Sequence, residues 1–388
     1  MRKIRVSPRP DIQQHLETFG LAWHEGYWSE GVGYEFSSQE VDEIESATDT
    51  LWEMCFNLVG DIIDDEDTLT RIGIPFDPMV RRVIRNSWER DHETLYGRFD
   101  FGWDGNTVKL FEFNADTPTS LLEASAIQWG WFEDHFGKKN GYDQFNSIHE
   151  KLIAAWKKVI PRGILNGKPR VHFVHMDDAE DASTIGYLRD TLMQAGFDKS
   201  TALWVEELGF SKKGVVDADG ETITRLFKLY PWECFFEDFA QNPSGNAYLE
   251  ALDKVQCIEP AWKVLLSSKG ILPLLWERHP GHPHLLESYF QDDSRKLKNY
   301  VTKPLFSREG ANVEIHAPSL GHTLTTEGGY GDHPKIVQEF FPLLPYEGQY
   351  PVLGSWVING GAAGMGIRES ESLVTGNRSR FVPHVIFG

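Results

Sequence analysis

The chain has 388 residues and a formal net charge of −20 at neutral pH. A surface this acidic repels the phosphate backbone of nucleic acids and attracts cations, including magnesium and polyamines, so we expect no nucleic-acid partner. No apolar run is long enough to cross a bilayer and no secretory signal opens the chain, so we expect no membrane association. The three cysteines are widely separated, which argues against a disulfide framework and predicts a cytoplasmic protein.

The first part of the chain predicts two helices. A capping box, Ser37-x-x-Glu40, opens a run whose apolar residues recur at helical spacing. Asp77 followed by Pro78 is typical of a second helix start, with aspartate as the cap and proline at the first helical position. Both helices precede the stretch that carries most of the predicted chemistry.

That stretch is a hairpin predicted over residues 96–114, where two alternating runs meet at the turn signal Asp-Gly-Asn. Residues two apart in a strand share a face. With a loop at 105–107, Asp100 lies opposite Glu112 and Arg98 lies opposite Asn114, so all four share one face. The residues expected on the other face are Phe99, Phe101, Phe111 and Phe113.

The polar face of the hairpin is a candidate magnesium site. Two opposed carboxylates repel each other unless a cation lies between them. Because Mg²⁺ takes one or two carboxylates together with phosphate oxygens and water, we expect it on Asp100, Glu112 and Asn114. Arg98 suits a carboxylate or a phosphate, since its planar fork binds either one through two hydrogen bonds. The alternative is a solvated face on which Arg98 only neutralises Asp100.

The segment after the hairpin combines hydroxyl groups with a predicted helix start. Ser120-x-x-Glu123 reads as another capping box, for a helix that runs to Trp131. The free N–H groups of a helix N-terminus attract anions, so Thr117, Thr119 and Ser120 are candidate substrate-binding residues. Alternatively, these residues only cap the helix.

The middle of the chain predicts an α/β unit, with strands at 171–176 and 202–205 and a helix between them. Beyond residue 284 the chain is dominated by strands punctuated with glycine. Lys303 ends one of these strands, and Lys269 precedes it in a small-residue segment. Either ammonium group is able to neutralise phosphate oxygens, and we expect both lysines to be exposed in a cleft.

Three further segments complete the predicted nucleotide site. Arg308 lies on a small-residue loop over 305–312, which we expect to act as a mobile lid. Gln338 and Glu339 lie in a polar and aromatic segment that suits adenine, and Arg368 lies on a glycine-flanked strand. The sequence contains neither a Walker P-loop nor a glycine-rich dinucleotide fingerprint.

Together these segments resemble the synthetase domain of glutathionylspermidine synthase, including its stand-alone bacterial acid–amine ligase members. The resemblance spans nearly the whole chain and rests on an ordered set of motifs: RFDFGWDG, KLFEFNADTPTS, LYPWE at 229–233, IEPAWK at 258–263, KPLFSREGANV at 303–313, IVQEFFPLLP at 336–345 and GIRES at 366–370. It implies an α/β (α+β) ATP-grasp fold with a pre-ATP-grasp-like α/β unit, in circularly permuted order. It also implies one synthetase unit over 1–388, with ATP-grasp and metal-binding lobes over about 1–135 and 265–388 and the substrate unit over about 150–262.

The resemblance also implies a role for each candidate residue. The magnesium ligands are Asp100, Glu112 and Asn114. The ATP-binding residues are Lys269, Lys303, Gln338 and Glu339. The arginines that hold the reacting carboxylate or stabilise the transferring phosphoryl group are Arg98, Arg308 and Arg368.

The implied activity is an ADP-forming ligase that uses ATP and Mg²⁺ to join a glutathione-like carboxylate to a cationic, polyamine-like amine through an acyl phosphate. Bifunctional members add an amidase domain, which we do not expect here. The segment ADTPTS departs from the pattern of glutathione users, which tend to carry a cysteine there, and this puts glutathione itself in doubt. Alternatives are a ligase of the same fold that acts on a peptide or amino acid, and a catalytically silent nucleotide-binding regulator.

Overall fold

Helices and strands are interspersed along the chain, which is the mixed α/β class predicted from the sequence. The computed structural model describes residues 1–21, 26–160, 170–291, 297–376 and 379–388. Within these ranges, none of the helices has the length and apolar character needed to cross a membrane. The α-helices are α1 Ile12–Thr18, α2 Ser38–Ile62, α3 Glu66–Arg71, α4 Pro78–Glu89, α5 Gln128–His135, α6 Ile148–Val159, α7 Ala179–Gln194, α8 Trp232–Ala240, α9 Gly245–Leu252, α10 Val264–Ser267 and α11 Ile271–Arg278.

Among the described residues, the strands form four principal sheets and one small hairpin. They are β1 Arg2–Arg5, β2 Val32–Phe36, β3 Tyr96–Trp103, β4 Val108–Asn114, β5 Tyr142–Asp143, β6 Val171–His175, β7 Ser200–Trp204, β8 Gly209–Ser211, β9 Gly214–Val216, β10 Arg225–Lys228, β11 Gln256–Ile258, β12 Ser288–Phe290, β13 Tyr300–Pro304, β14 Glu314–Ala317, β15 His322–Thr325, β16 Lys335–Glu339, β17 Tyr350–Ile358, β18 Gly361–Ser370, β19 Arg380–Val382 and β20 His384–Phe387.

Two antiparallel sheets form the frame of the site. The central sheet has the order β19-β18-β17-β3-β4, so the hairpin from the first third of the chain pairs with strands from its end. The cleft sheet has the order β12-β16-β13-β14-β15. A third sheet, β11-β10-β6-β7, is parallel throughout and carries α7 between β6 and β7, which confirms the predicted α/β unit.

The two predicted helix starts in the first part of the chain are confirmed. The Ser37 hydroxyl accepts from the backbone N–H of Glu40, and the Glu40 carboxylate accepts from the backbone N–H of Ser37, which completes the capping box of α2. The Asp77 carboxylate accepts from two backbone N–H groups in the first turn of α4, at 2.7 and 3.1 Å. Helix α2 then packs its buried apolar stripe against β17 and β18.

The hairpin has the predicted polar register and differs on its apolar face. Asp100 pairs with Glu112 and Arg98 pairs with Asn114, as expected, but the register shifts just beyond Asp100. Phe101 therefore pairs with Leu110, and the prediction that Phe111 joins the other phenylalanines was wrong. Its ring crosses Gly102 instead, where an added Cβ would lie 2.4 Å from Phe111 Cζ. A bulge of this kind re-aims one side chain, and an alternating pattern does not reveal it.

The predicted capping box at Ser120 does not form. Ser120 has a φ of 67°, in the left-handed region, whereas a capping residue needs an extended backbone. Its hydroxyl pairs with the Tyr27 hydroxyl at 2.9 Å, and Tyr27 also donates to Glu123. Residues Glu123–Ile127 form one turn of π-helix before α5, which continues to His135 rather than ending at Trp131.

Candidate active site

Four polar side chains of the β3–β4 hairpin meet on one face. Arg98 donates to both carboxylate oxygens of Asp100, from Nε at 2.6 Å and from Nη2 at 3.0 Å. The Asn114 amide donates to Asp100 at 3.1 Å and to Glu112 at 3.3 Å. The two carboxylates are thus joined through one amide group, and the structure brings together all three side chains predicted to bind metal.

The donor set of this face fits Mg²⁺ in part. Within the described ranges, no three His, Cys, Asp or Glu side chains form a metal-binding group. The candidate set has two carboxylates and one amide, and it suits a cation that also takes phosphate oxygens and water. Asn114 presents its NH₂ group to the carboxylates. A rotation of the amide would turn its oxygen toward them, and the two amide ends differ little in shape.

Two lysines approach the hairpin from outside it. Lys269 Nζ lies 3.2 Å from Glu112 Oε2. Lys303 Nζ donates to the backbone carbonyl of Phe111 at 2.9 Å and to Gln338 Oε1 at 2.8 Å. Each lysine is only 8% exposed, so the expectation of exposed lysines was wrong. Both lysines nevertheless line the cleft described below, and long side chains of this kind bury their methylene groups along apolar surface.

These buried charges perturb one another. Burial disfavours ionisation of Glu112, but Lys269 and Lys303 outweigh it and hold the pKa of that carboxyl at about 2. Burial lowers the pKa of Lys303 to about 8, although Glu112 opposes the shift. Glu112 is therefore ionised throughout the physiological pH range. The neighbouring ammonium group of Lys303 loses its proton just above that range.

The space between the central and cleft sheets is a cleft of about 770 Å³, called the lysine cleft below. Its polar end is formed by Asp100, Glu112, Lys269, Lys303, Gln338 and Glu339. Its apolar walls include Phe111, Val301, Ile315, Phe340, Phe341 and Val352. The Gln338 amide is already bonded to Lys303 and to the carbonyl of Leu110, whereas Glu339 is exposed. A cleft with apolar walls and two lysines in its lining suits a nucleotide.

The 305–312 loop closes one side of the lysine cleft. Arg308 on this loop donates to Thr117 Oγ1 at 2.9 Å and to Glu233 Oε1 at 2.8 Å. The carbonyl of Ser307 accepts from Lys269 at 2.8 Å. The loop therefore spans from the cleft sheet to the hairpin and to helix α8.

A second cleft, of about 320 Å³, lies on the face of the central sheet next to Arg98 and is called the arginine cleft below. Arg368 enters it from β18 and donates from Nη2 to the carbonyl of Gly376, while its buried Nε has no hydrogen-bond partner in the described ranges. Gly354 keeps the cleft open, because an added Cβ would lie 2.8 Å from Arg98 Cδ. Asp100 lines this cleft and the lysine cleft, so the two meet at one carboxylate.

The three hydroxyl residues occupy different positions. Thr117 contacts Arg308 of the loop, and Ser120 lines the arginine cleft. The Thr119 carbonyl accepts from Arg98 at 2.5 Å, whereas its side chain is exposed. Of these three residues, Ser120 lines the arginine cleft, and Thr117 lines neither cleft but accepts from Arg308 of the loop.

Sequence reasoning missed a group of acids and their partners beside the arginine cleft. Burial raises the pKa of Glu180 to about 7, and the negative charge of Glu123 adds to the shift. Burial likewise raises the pKa of Glu123 itself. Asp116 forms a buried ion pair with Lys228 at 2.6 Å, from the end of the hairpin to the parallel sheet. No local pattern marks these residues, because the interaction of Glu123 with Glu180 and that of Asp116 with Lys228 each join segments distant in the chain.

Comparisons with known proteins show the family to which the chain belongs. The family description "Glutathionylspermidine synthase preATP-grasp" matches residues 3–387. A Haemophilus influenzae protein named "Putative acid--amine ligase" is 40% identical over 99% of both chains. Trypanothione synthetase of Crithidia fasciculata is 32% identical over 82% of this chain, and the bifunctional glutathionylspermidine synthetase/amidase of Escherichia coli is 27% identical over 91%.

The chain spans 51% and 59% of the lengths of those last two relatives. A solved structure of a glutathione synthetase-like effector from Globodera pallida covers 98% of this chain with a TM-score of 0.55 at 11% identity, a likeness of fold alone. That likeness agrees with the predicted ATP-grasp-type fold. The named relatives are ligases and synthetases, which agrees with the predicted enzyme class. The chain therefore belongs to the glutathionylspermidine synthase family.

Proposed function

We propose that the protein is an ADP-forming ligase that uses ATP to join a carboxylate to an amine through an acyl phosphate. The observation that carries this proposal is the meeting of the lysine and arginine clefts at Asp100. A nucleotide in the first cleft and a carboxylate in the second would approach each other at this residue. That arrangement favours direct transfer of a phosphoryl group between them.

On the nucleotide side, Lys269 and Lys303 would neutralise phosphate oxygens, and the apolar walls beside Gln338 and Glu339 would hold the base. Asp100, Glu112 and Asn114 would hold Mg²⁺ against the phosphates. When bound, the cation would offset charge that develops on the transferring group. Arg308 would add positive charge from the loop, and the closed loop would keep water from the acyl phosphate.

On the acceptor side, Arg98 and Arg368 would orient the carboxylate. Arg98 is fixed by Asp100 and by the Thr119 carbonyl, so it is pre-organised. Arg368 has an unpartnered buried Nε, which a carboxylate or phosphoryl oxygen would satisfy. The hydroxyls of Thr117 and Ser120 would make further contacts to the acyl substrate.

The amine would approach from the acidic side of the arginine cleft. The relatives' names specify glutathionylspermidine and trypanothione synthesis, which points to a glutathione-like carboxylate and a polyamine-like amine. Glu123 and Glu180 supply negative charge there. Glu180, with a pKa of about 7, is suited to accept the proton that the amine loses as the amide forms.

The test supplies ATP, Mg²⁺, glutathione and spermidine and identifies the nucleotide released. ADP and phosphate are expected, together with an amide product detected by mass spectrometry. AMP and pyrophosphate would overturn the acyl-phosphate route. Amide formation with amino acids or peptides alone would instead support a ligase of the same fold that acts on those substrates. Nucleotide binding without turnover across a panel of acids and amines would support a catalytically silent nucleotide-binding regulator.

A variant pair localises the chemistry. Arg368→Ala should lower kcat by about 10²–10³-fold and change KM less, because the charge that it stabilises develops mainly in the transition state. Arg5→Ala removes an exposed arginine on β1 and should change neither constant. An equal rise in KM with unchanged kcat for Arg368→Ala would assign the residue to substrate binding alone.

A further inference from the structure

A third cavity lies away from both clefts and shares no lining residue with them. Its space, counted together with the solvent at its open mouth, is about 940 Å³. It is bounded by α2, by the end of α4, by the segment 91–94 and by the turn between β17 and β18. Its walls include four aromatic rings and its rim carries two acids: Trp52, Phe56, Trp88, Trp262, Asp91 and Glu93. We call it the aromatic cavity. Nothing in the proposed ligase reaction uses it.

The rings of the aromatic cavity form one packed cluster. Phe56 lies 4.9 Å from Trp88 and 5.9 Å from Trp262, centroid to centroid, and the two indoles meet edge to face at 5.4 Å and 82°. Phe56 is nevertheless 42% exposed. A large ring that remains open to solvent beside three tryptophans is an unsatisfied apolar surface of the kind found in binding sites.

The charged side chains that line the cavity are acids, although Lys158 donates to the lining residue Asn359 at 2.7 Å and Arg90 adjoins His92. Asp91 and Glu93 are both exposed, and the Asn359 amide donates to Glu93 at 3.2 Å. Burial, together with the neighbouring Arg90, lowers the pKa of His92, so this ring adds no positive charge at neutral pH. Among the described residues that line the cavity there is no lysine or arginine. Within the lining itself, the two carboxylates would attract a cation.

The same ring cluster already holds a cation on its inner side. The buried Lys263 ammonium lies 5.5 Å from the Trp52 ring centroid and 5.9 Å from that of Trp262. Its charge is balanced by Glu259 at 3.3 Å, also within the core. Trp52 and Trp262 thus already interact with one ammonium group on the side of the core. Phe56 and Trp88 line the cavity on the solvent side, where no ammonium group is present among the described lining residues.

We infer that the aromatic cavity binds an organic ammonium ion. The alkylated ammonium group would pack against Phe56 and Trp88, and the acids Asp91 and Glu93 would lie at the rim. A quaternary or protonated alkylamine meets both requirements, because its charge is spread over methyl or methylene groups that pack on ring faces. The inference does not depend on the proposed ligase activity. The site would bind its ligand without chemistry, in the presence or absence of nucleotide.

The experiment is calorimetric titration of the full chain with choline and with its neutral carbon isostere, 3,3-dimethylbutan-1-ol. The two probes differ in charge and little in shape. Choline should bind at least about fivefold more tightly, the factor that corresponds to one charge interaction of about 1 kcal/mol. Equal affinity for the two probes would overturn the inference. The absence of binding heat up to the highest choline concentration used would also overturn it.

Two variants place the binding in this cavity. Phe56→Leu and the double variant Asp91→Asn/Glu93→Gln should each weaken choline binding by about threefold or more. Phe76→Leu removes an exposed ring elsewhere, and Glu206→Gln/Asp219→Asn makes the same charge change on the α/β unit, so both controls should bind as the parent does. Choline affinity that is unchanged in both cavity variants, with folding checked by circular dichroism, would assign the ligand to another surface and overturn the inference.

Discussion

Burial of the Lys303 ammonium group costs solvation free energy in the free protein, and the same charge would stabilise bound nucleotide. Its ammonium group is almost fully buried and bonded only to neutral oxygens, from Phe111 and Gln338. Desolvation therefore lowers its pKa to about 8, against an ordinary value near 10.4. A phosphate placed in the lysine cleft would add to the counter-charge that Glu112 only partly supplies in the free protein.

The lowered pKa of Lys303 predicts proton uptake when nucleotide binds. At pH 8 about half of the free protein carries a neutral Lys303, and a triphosphate raises the pKa, so binding should take up part of a proton. As the pH rises above 8, ATP affinity should fall. Titration with ATP in EDTA, in two buffers of different ionisation enthalpy, measures the uptake.

Lys303→Met should abolish that proton uptake and weaken ATP binding by about 10- to 100-fold, the cost of losing one hydrogen bond to a charged group. Lys212→Met, an exposed lysine between β8 and β9, is the matched control and should behave as the parent. Proton uptake that persists in Lys303→Met would mean that another group titrates.

At the level of single residues, the sequence predicted which polar side chains share a strand face better than it predicted local conformation. The Arg98, Asp100, Glu112 and Asn114 face could be derived because strand alternation fixes which side chains meet. The positive φ of Ser120 and the displaced ring of Phe111 could not, since both result from neighbours distant in sequence. The roles that we assign to these residues stay predictions until they are tested.

Among the elements, α4 gives a direct test of local sequence signals. Asp77→Ala removes the carboxylate that accepts two backbone N–H groups, and it should lower the free energy of unfolding by about 1 kcal/mol. Glu89→Ala, at the exposed C-terminal end of the same helix, should be neutral or slightly stabilising because it removes a negative charge from the negative end of the dipole. Urea denaturation measures both, and equal losses would argue against the cap.

The loop over 305–312 is a predicted lid whose closed position depends on a few contacts. Arg308 is 41% exposed in its ion pair with Glu233, so this contact should contribute little more than an ordinary surface pair. Glu233→Gln should speed amide hydrogen exchange in the loop and raise KM for ATP by about two- to fivefold.

Glu237→Gln changes an acid one turn further along α8 and is the control for the lid. It should leave both the exchange of the loop and KM unchanged. If Glu233→Gln also leaves the exchange of residues 305–312 unchanged, the ion pair does not hold the loop closed.

For the whole molecule, the net charge of −20 should act on association with a cationic amine. Salt screens such attraction, so KM for spermidine should rise by about three- to tenfold between 0.05 and 0.5 M NaCl. KM for a neutral amine substrate of similar length is the reference and should change little. Equal salt dependence for the two amines would exclude electrostatic steering.

At this scale the family resemblance predicted more than residue patterns did. Periodicity located the hairpin, α2, α4 and the β6–α7–β7 unit, because these are local. It gave no indication that β3 pairs with β17, or that Asp116 pairs with Lys228, since such contacts join residues far apart in the chain. The aromatic cavity was missed for the same reason: its rings come from three separate elements.

The central sheet has a consequence for how the protein is made. Phe101 of β3 pairs with Leu353 of β17, so the strand that carries Arg98 and Asp100 has no neighbour on that side until most of the chain has left the ribosome. Sheets joined over such sequence separations form late, and an unpaired strand edge is open to association with other chains in the meantime. Chains that stop before β17 should therefore accumulate as aggregates, and capacity to bind nucleotide should appear only with the last tenth of synthesis.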